Sequence, residues 1–229
     1  MNLTAPASRF KSPLETIKRH GAGLVLILLG VLAPLLLFGV LAEDVAEREA
    51  FHFDNPTLLW LHVHATPRLD ALMLLASRIG GVTISLPIVV GLAVVLWLLS
   101  RRRAAIFLAI GVGGACLIDV VAKLIFARQR PDLWLSIAPE HDYGFPSGHS
   151  MLSMAIVASV LALIWSASLP RFLQWGATIL GVAFVIWVGV SRLYLGVHYP
   201  SDVLAGWSAS LAWVMGSVSL LKRRRRIEI

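Results

Sequence analysis

The sequence predicts an all-α integral membrane protein with six transmembrane helices, on three observations. Of the 229 residues, 58% are hydrophobic and only 14% charged, with a mean hydropathy of +0.80. A soluble domain of this length carries more charge and breaks its apolar runs sooner. Six apolar runs, roughly 23–42, 82–100, 104–126, 149–168, 172–190 and 202–221, approach the about 20 residues that cross a bilayer. The basic residues then sort by loop: Arg9, Lys11, Lys18, Arg19, Arg101 to Arg103, Arg171 and Lys222 to Arg226 fall on one side, thirteen of the twenty Lys and Arg. Basic loops stay cytoplasmic, so both termini are expected inside.

The first run follows a leader, 1–22, with four basic residues. It is too long for a signal-peptide core and lacks a small-x-small cleavage site, so it reads as a retained span. Barrel strands would be shorter and alternating, which leaves helices as the spanning elements. Pro34 and Pro87 fall within spans and are expected to kink them. The outer loop 43–81 carries "EDVAERE" and then "TLLWLHVHATPRLDALMLLASRIG", whose spacing predicts an interfacial helix with Trp60 at headgroup level. His62 and His64 form an H-x-H without nearby Cys or carboxylates, which favours packing over metal binding. Cys116 stands alone inside an apolar run, so no internal disulfide is possible and a packing role is expected. The tail 222–229 is basic, and beside a span it reads as a topology anchor that attracts anionic lipid, not a nucleic-acid site. No internal repeat or low-complexity segment interrupts 23–221, read as one six-helix domain.

Three polar clusters break the apolar pattern, and all fall on the predicted outer side. They are "KLIFARQRP" at the end of the third span, "PSGH" at the start of the fourth, and "SRLYLGVHYPSD" between the fifth and sixth. Ionisable groups near membrane depth are costly, which makes them functional candidates. Lys123, Arg130 and Arg192 supply three cations, two of them guanidiniums suited to tetrahedral oxyanions. Ser147 and Gly148 stand at a helix start, where free N–H groups bind anions and a glycine lets phosphate approach the backbone.

The two histidines can divide the labour. Pro200 suits a first helical position, which puts Asp202 in the first turn of the sixth span. There Asp202 can accept Nδ1–H of His198 and leave Nε2 as nucleophile. His149 is then free to protonate the leaving oxygen. No carboxylate cluster suited to Mg²⁺ lies near these groups, so metal-free catalysis without a cofactor is expected. Arg128 reads as an interfacial anchor, and His141 and Asp142 as solvated loop residues.

Together the clusters resemble the three-part signature of the type 2 phosphatidic acid phosphatase superfamily, K-x6-R-P, P-S-G-H and S-R-x5-H-x3-D. Lys123, Arg130 and Pro131, then Pro146 to His149, then Ser191, Arg192, His198 and Asp202 fill every position, in order. The resemblance implies a lipid phosphomonoesterase or diphosphatase working through a phosphohistidine. His198 would be the nucleophile paired with Asp202, His149 the acid, and Lys123, Arg130, Ser147, Gly148 and Arg192 the phosphate ligands. Implied substrates are phosphatidic acid, phosphatidylglycerol phosphate or undecaprenyl diphosphate, acted on at the outer, periplasmic face of a bacterial inner membrane. A phosphotransferase would use the same site with another acceptor. Haloperoxidases of similar signature are soluble, and a non-catalytic transporter would show repeated halves and broken spans. The expected partners are the lipid phosphate and the bilayer, with no nucleic acid.

Overall fold

A computed structural model describes Val25 and residues 27–223. The leader 1–22 and the tail beyond Arg223 lie outside the described residues. Among these, the chain is all helical. A π-helical turn, Leu28–Leu32, leads into α1 (Ala33–Ala46). Pro34 explains the junction, because proline cannot donate to the carbonyl four residues back and its ring crowds that carbonyl.

The loop 43–81 contains two helices where one was expected. These are α2 (Asp54–Val63) and α3 (Pro67–Gly80). Thr66 caps α3, its Oγ1 accepting from Leu69 N at 3.3 Å, with Pro67 in the first turn. Hydroxyl caps and N-terminal prolines suit helix starts for reasons of hydrogen bonding and φ. Gly81 is extended and separates α3 from α4 (Val82–Leu98), and the pair bends by 42° at this break. The kink expected at Pro87 is therefore not the main bend.

The remaining helices are α5 (Arg102–Phe126), α6 (Gly148–Ser166), α7 (Arg171–Tyr194) and α8 (Pro200–Arg223). Five segments, Leu28–Ala46, α5, α6, α7 and Pro200–Leu220 of α8, are long and apolar enough to cross a membrane. The bent pair α3–α4 makes a sixth candidate if it counts as one span. The seventeen residues of α4 alone reach about 26 Å, at 1.5 Å per residue.

Helix α6 is central, packed by α5, α7 and α8, while α1 covers α8 and α3 covers α7. Small residues allow the close crossings. A Cβ on Gly111 would meet Ser159 Oγ at 2.4 Å, and one on Gly189 would meet Trp207 at 2.2 Å. Lipid offers no hydrophobic drive between helices, so such close contact supplies the association energy. The apolar side chains of Leu36, Ile88, Leu98, Leu117, Leu124 and Leu180 remain exposed on the outside of the bundle, as a hydrocarbon surrounding permits. Cys116 is half-buried and packs with Val89, Leu108 and Leu152.

Candidate active site

Four helix ends meet at one end of the bundle: the C-termini of α5 and α7 and the N-termini of α6 and α8. All eight signature residues named above as catalytic or phosphate-binding lie there. Ala127 ends α5 in a left-handed conformation, φ 43°, which turns the chain toward Arg128 and Arg130. Gly196 (φ 68°) turns it between α7 and His198, and a Cβ there would strike Trp134 at 2.5 Å. Pro200 opens α8, so Asp202 falls in its first turn.

His198 is buried, and its two ring nitrogens face different partners. Nδ1 lies 2.8 Å from the carbonyl oxygen of Gly144, which can only accept. Nε2 lies 2.9 Å from Arg130 Nη1, which can only donate. These partners suit the tautomer with its proton on Nδ1 and its lone pair on Nε2.

Asp202, the acceptor expected from sequence, stands 3.5 Å from Nδ1, beyond a good hydrogen bond. Its oxygens are committed elsewhere, Oδ1 to Arg128 Nη1 and Oδ2 to Tyr199 N at 2.8 Å. Burial pushes the Tyr199 hydroxyl above its ordinary value, against the nearby charge of Arg128.

The three expected cations are present and already paired. Arg130 Nη2 meets Glu140 Oε2 at 2.8 Å and also Asp142. Arg192, fully buried, donates through Nη2 to Glu140 and through Nη1 to Ser77 in α3, and its Nε finds no partner among the described residues. Lys123 pairs with Asp142 and lies 3.4 Å from Asp119. Asp142 remains an exposed loop residue, as expected, and is also an ion-pair partner in the site, because the 132–145 segment folds back over the helix mouths. His141 remains exposed, as expected of the loop.

Glu140 is the centre of this arrangement. Its carboxylate lies 3.8 Å from His149 Nδ1 and 3.7 Å from His198 Nε2, besides its two arginines. Burial alone would raise its carboxyl, but the Arg192 guanidinium beside it holds it well below the usual carboxylate range. Asp142 is likewise lowered, with Lys123 and Arg130 outweighing its burial. An anion therefore sits between the two imidazoles and the two guanidiniums.

Ser147 is fully buried at the N-cap of α6 and makes no side-chain cap bond. Its Oγ accepts from Ser150 at 3.0 Å and its N–H donates to Asp202 O at 3.1 Å. A Cβ on Gly148 would lie 3.0 Å from Asp119 and 3.3 Å from Lys123 Nζ, so the glycine opens the helix start to this cluster. A cavity of about 320 Å³ adjoins this cluster, lined by Lys123, Gly148 and His149 and by the apolar Val82, Val120 and Leu152.

Arg128 is buried deeply enough to act within the site, contrary to the anchor expected. Nη2 meets Asp54 of α2 at 2.9 Å and Nη1 meets Ser201 Oγ at 2.7 Å as well as Asp202. His62 stacks on Trp134 at 4.2 Å and His64 lies tilted against Trp60 at 4.6 Å, which gives both a packing role. Among the described residues no group of three or more His, Cys, Asp or Glu is arranged to hold a metal.

The PAP2 superfamily model matches residues 104–226. The chain belongs to the PAP2 superfamily. It is 29% identical over 181 residues to an undecaprenyl-diphosphatase of Sulfolobus acidocaldarius, covering 76% of this chain and 82% of that protein. It is 32% identical over 147 residues to phosphatidylglycerophosphatase B of Bacillus subtilis, covering 63% and 71%. The crystal structure of a transmembrane PAP2-type phosphatidylglycerolphosphate phosphatase from Bacillus subtilis matches with a TM-score of 0.75 at 24% identity, covering 86% of this chain and 98% of that one. Family membership makes this PAP2 protein a phosphoric ester hydrolase, and its apolar helices make it a multi-pass membrane protein.

Proposed function

We propose that this PAP2 protein hydrolyses the phosphomonoester or diphosphate of a membrane lipid through a phosphohistidine on His198, without a metal. The observation that carries the reading is the anion site between His198 Nε2, His149, Arg130 and Arg192, marked by the Glu140 carboxylate. A phosphoryl group taking the place of Glu140 meets two guanidiniums suited to its equatorial oxygens. His198 Nε2 attacks phosphorus, the bond to the leaving oxygen breaks, and His149 gives that oxygen a proton. His149 then takes a proton from water, which attacks the phosphohistidine and releases inorganic phosphate. Lys123 and the Ser147–Gly148 helix start complete the cradle.

Phosphatidic acid, phosphatidylglycerol phosphate and undecaprenyl diphosphate are the proposed substrate class, the last two in keeping with the relatives' names. The distribution of Lys and Arg supports cytoplasmic termini, and hence a site facing the outside, or the periplasm of a bacterial inner membrane. Phosphate release from these three lipids, with a chelator present, tests the reading on the purified protein. Release by the wild type and its loss in His198→Ala are expected. Release that survives His198→Ala refutes the nucleophile, and release abolished by the chelator refutes metal-free chemistry.

A further inference from the structure

The buried cluster behind His198 contains groups to which the proposed chemistry gives no part. Arg128 is tied by two separate routes to the two groups that flank Nδ1 of His198, the Gly144 carbonyl that accepts from it and the Asp202 carboxylate beside it. Its backbone carbonyl accepts from Gly144 N at 2.8 Å, and the Gly144 carbonyl in turn accepts Nδ1–H at 2.8 Å. Its guanidinium binds Asp202, whose other oxygen lies 3.5 Å from the same Nδ1. The guanidinium stacks over the Tyr199 ring at 4.5 Å, and its second nitrogen reaches Asp54 at 2.9 Å. Asp54 is itself buried and accepts from Ser201 N at 3.0 Å and Ser201 Oγ at 2.6 Å, so it grips the first turn of α8 as well.

We propose that Arg128 and Asp54 are positioning residues for the His198 nucleophile. Arg128 holds Gly144 and Asp202 around Nδ1, and Asp54 holds Arg128. The inference rests on the phosphohistidine reading above. The chemistry supplies the reason. When Nε2 bonds to phosphorus the ring becomes cationic, and Nδ1–H must keep its acceptors while the charge develops. Two carboxylates share one guanidinium, so the cluster carries one net negative charge that favours the cationic ring. Without Arg128 the two buried carboxylates would repel each other, and Asp202 would rotate or take a proton. Among the described residues Arg128 makes no ion pair with Glu140 or Asp142, the anions that occupy the phosphate cradle. Its loss therefore falls on turnover and not on phosphate binding.

The test uses the full-length protein in detergent, with dioctanoyl phosphatidic acid as substrate and inorganic phosphate as inhibitor. Arg128→Lys keeps the charge but cannot bridge two carboxylates. It is expected to lower kcat by about 10- to 100-fold, the range for residues that orient a reacting ligand. KM and the phosphate inhibition constant are expected to stay within about twofold, since they report the cradle. Millimolar guanidinium restores part of the activity of Arg128→Ala, where sodium does not. Asp54→Asn costs less, and in the Arg128→Ala background it costs less than it does alone, because it removes the repulsion between the two carboxylates left there. An unchanged kcat in Arg128→Lys overturns the proposal. So does a phosphate inhibition constant that rises in step with the loss of kcat, or full additivity of the two substitutions. Retained phosphate inhibition separates these outcomes from misfolding. Wild-type turnover, lost in His198→Ala, is the separate test of the proposed function.

Discussion

Glu140 occupies the place where the reacting phosphoryl group would bind, so substrate and loop carboxylate compete for the same two arginines. In Glu140→Gln that competition is weakened, and KM for the lipid and the inhibition constant of inorganic phosphate are expected to fall roughly tenfold, about 1.4 kcal/mol. Steady-state kinetics on the purified variant check this, and unchanged constants would show that the segment leaves the site without cost. The same carboxylates set a pH dependence. Glu140 and Asp142 have lowered folded values, so their stabilisation is complete above the unfolded values, 4.5 and 3.8, and is lost as pH falls below them. The melting-temperature advantage of wild type over Glu140→Gln should hold from pH 7 to about 4.5 and shrink below. The signature side chains were legible in the sequence because their spacing matches helix mouths. Glu140, Asp142 and Arg128 were not, since no local pattern tells which way a loop folds. Asp54 acts across 147 residues of chain to Ser201, beyond any periodic signal.

At the scale of elements, the site depends on how closely α8 approaches the start of α6. A Cβ on Gly206 would lie 2.8 Å from the backbone oxygen of Ser147, which no rotamer change relieves. Gly206→Ala is expected to cost about 1–3 kcal/mol of stability by overpacking. It should also lower kcat, because Ser147 N and Asp202 O are hydrogen-bonded across that contact. Gly113, with nothing within 4 Å of its Cβ position, is the control, and Gly113→Ala should leave both melting temperature and turnover near wild type. The long helices were readable from apolar length. The boundary at Gly81 was readable too, because the amphipathic pattern of α3 stops where α4 becomes apolar all round, but the 42° bend there leaves no mark in hydropathy. The start of α8 at Pro200 was readable, since proline fixes φ for a first turn.

For the whole molecule, the proposed orientation places the segment 132–145 outside. Leu135 is almost fully exposed on it, and Cys116 is the one cysteine in the sequence. A Leu135→Cys, Cys116→Ser protein in intact cells should react with a membrane-impermeant maleimide. Reaction only after permeabilisation would reverse the orientation. The expected direction rests on basic-residue counts, which report insertion and not packing.

The cavity lined by His149 and Lys123 is also lined by Val82 and Val120, both exposed. A substrate using it keeps its tails among its neighbours in the leaflet while its headgroup reacts. The quantity that sets the rate is then its mole fraction in the two-dimensional sheet. Diluting it with inert phospholipid should slow turnover, and diluting the vesicles with buffer should not.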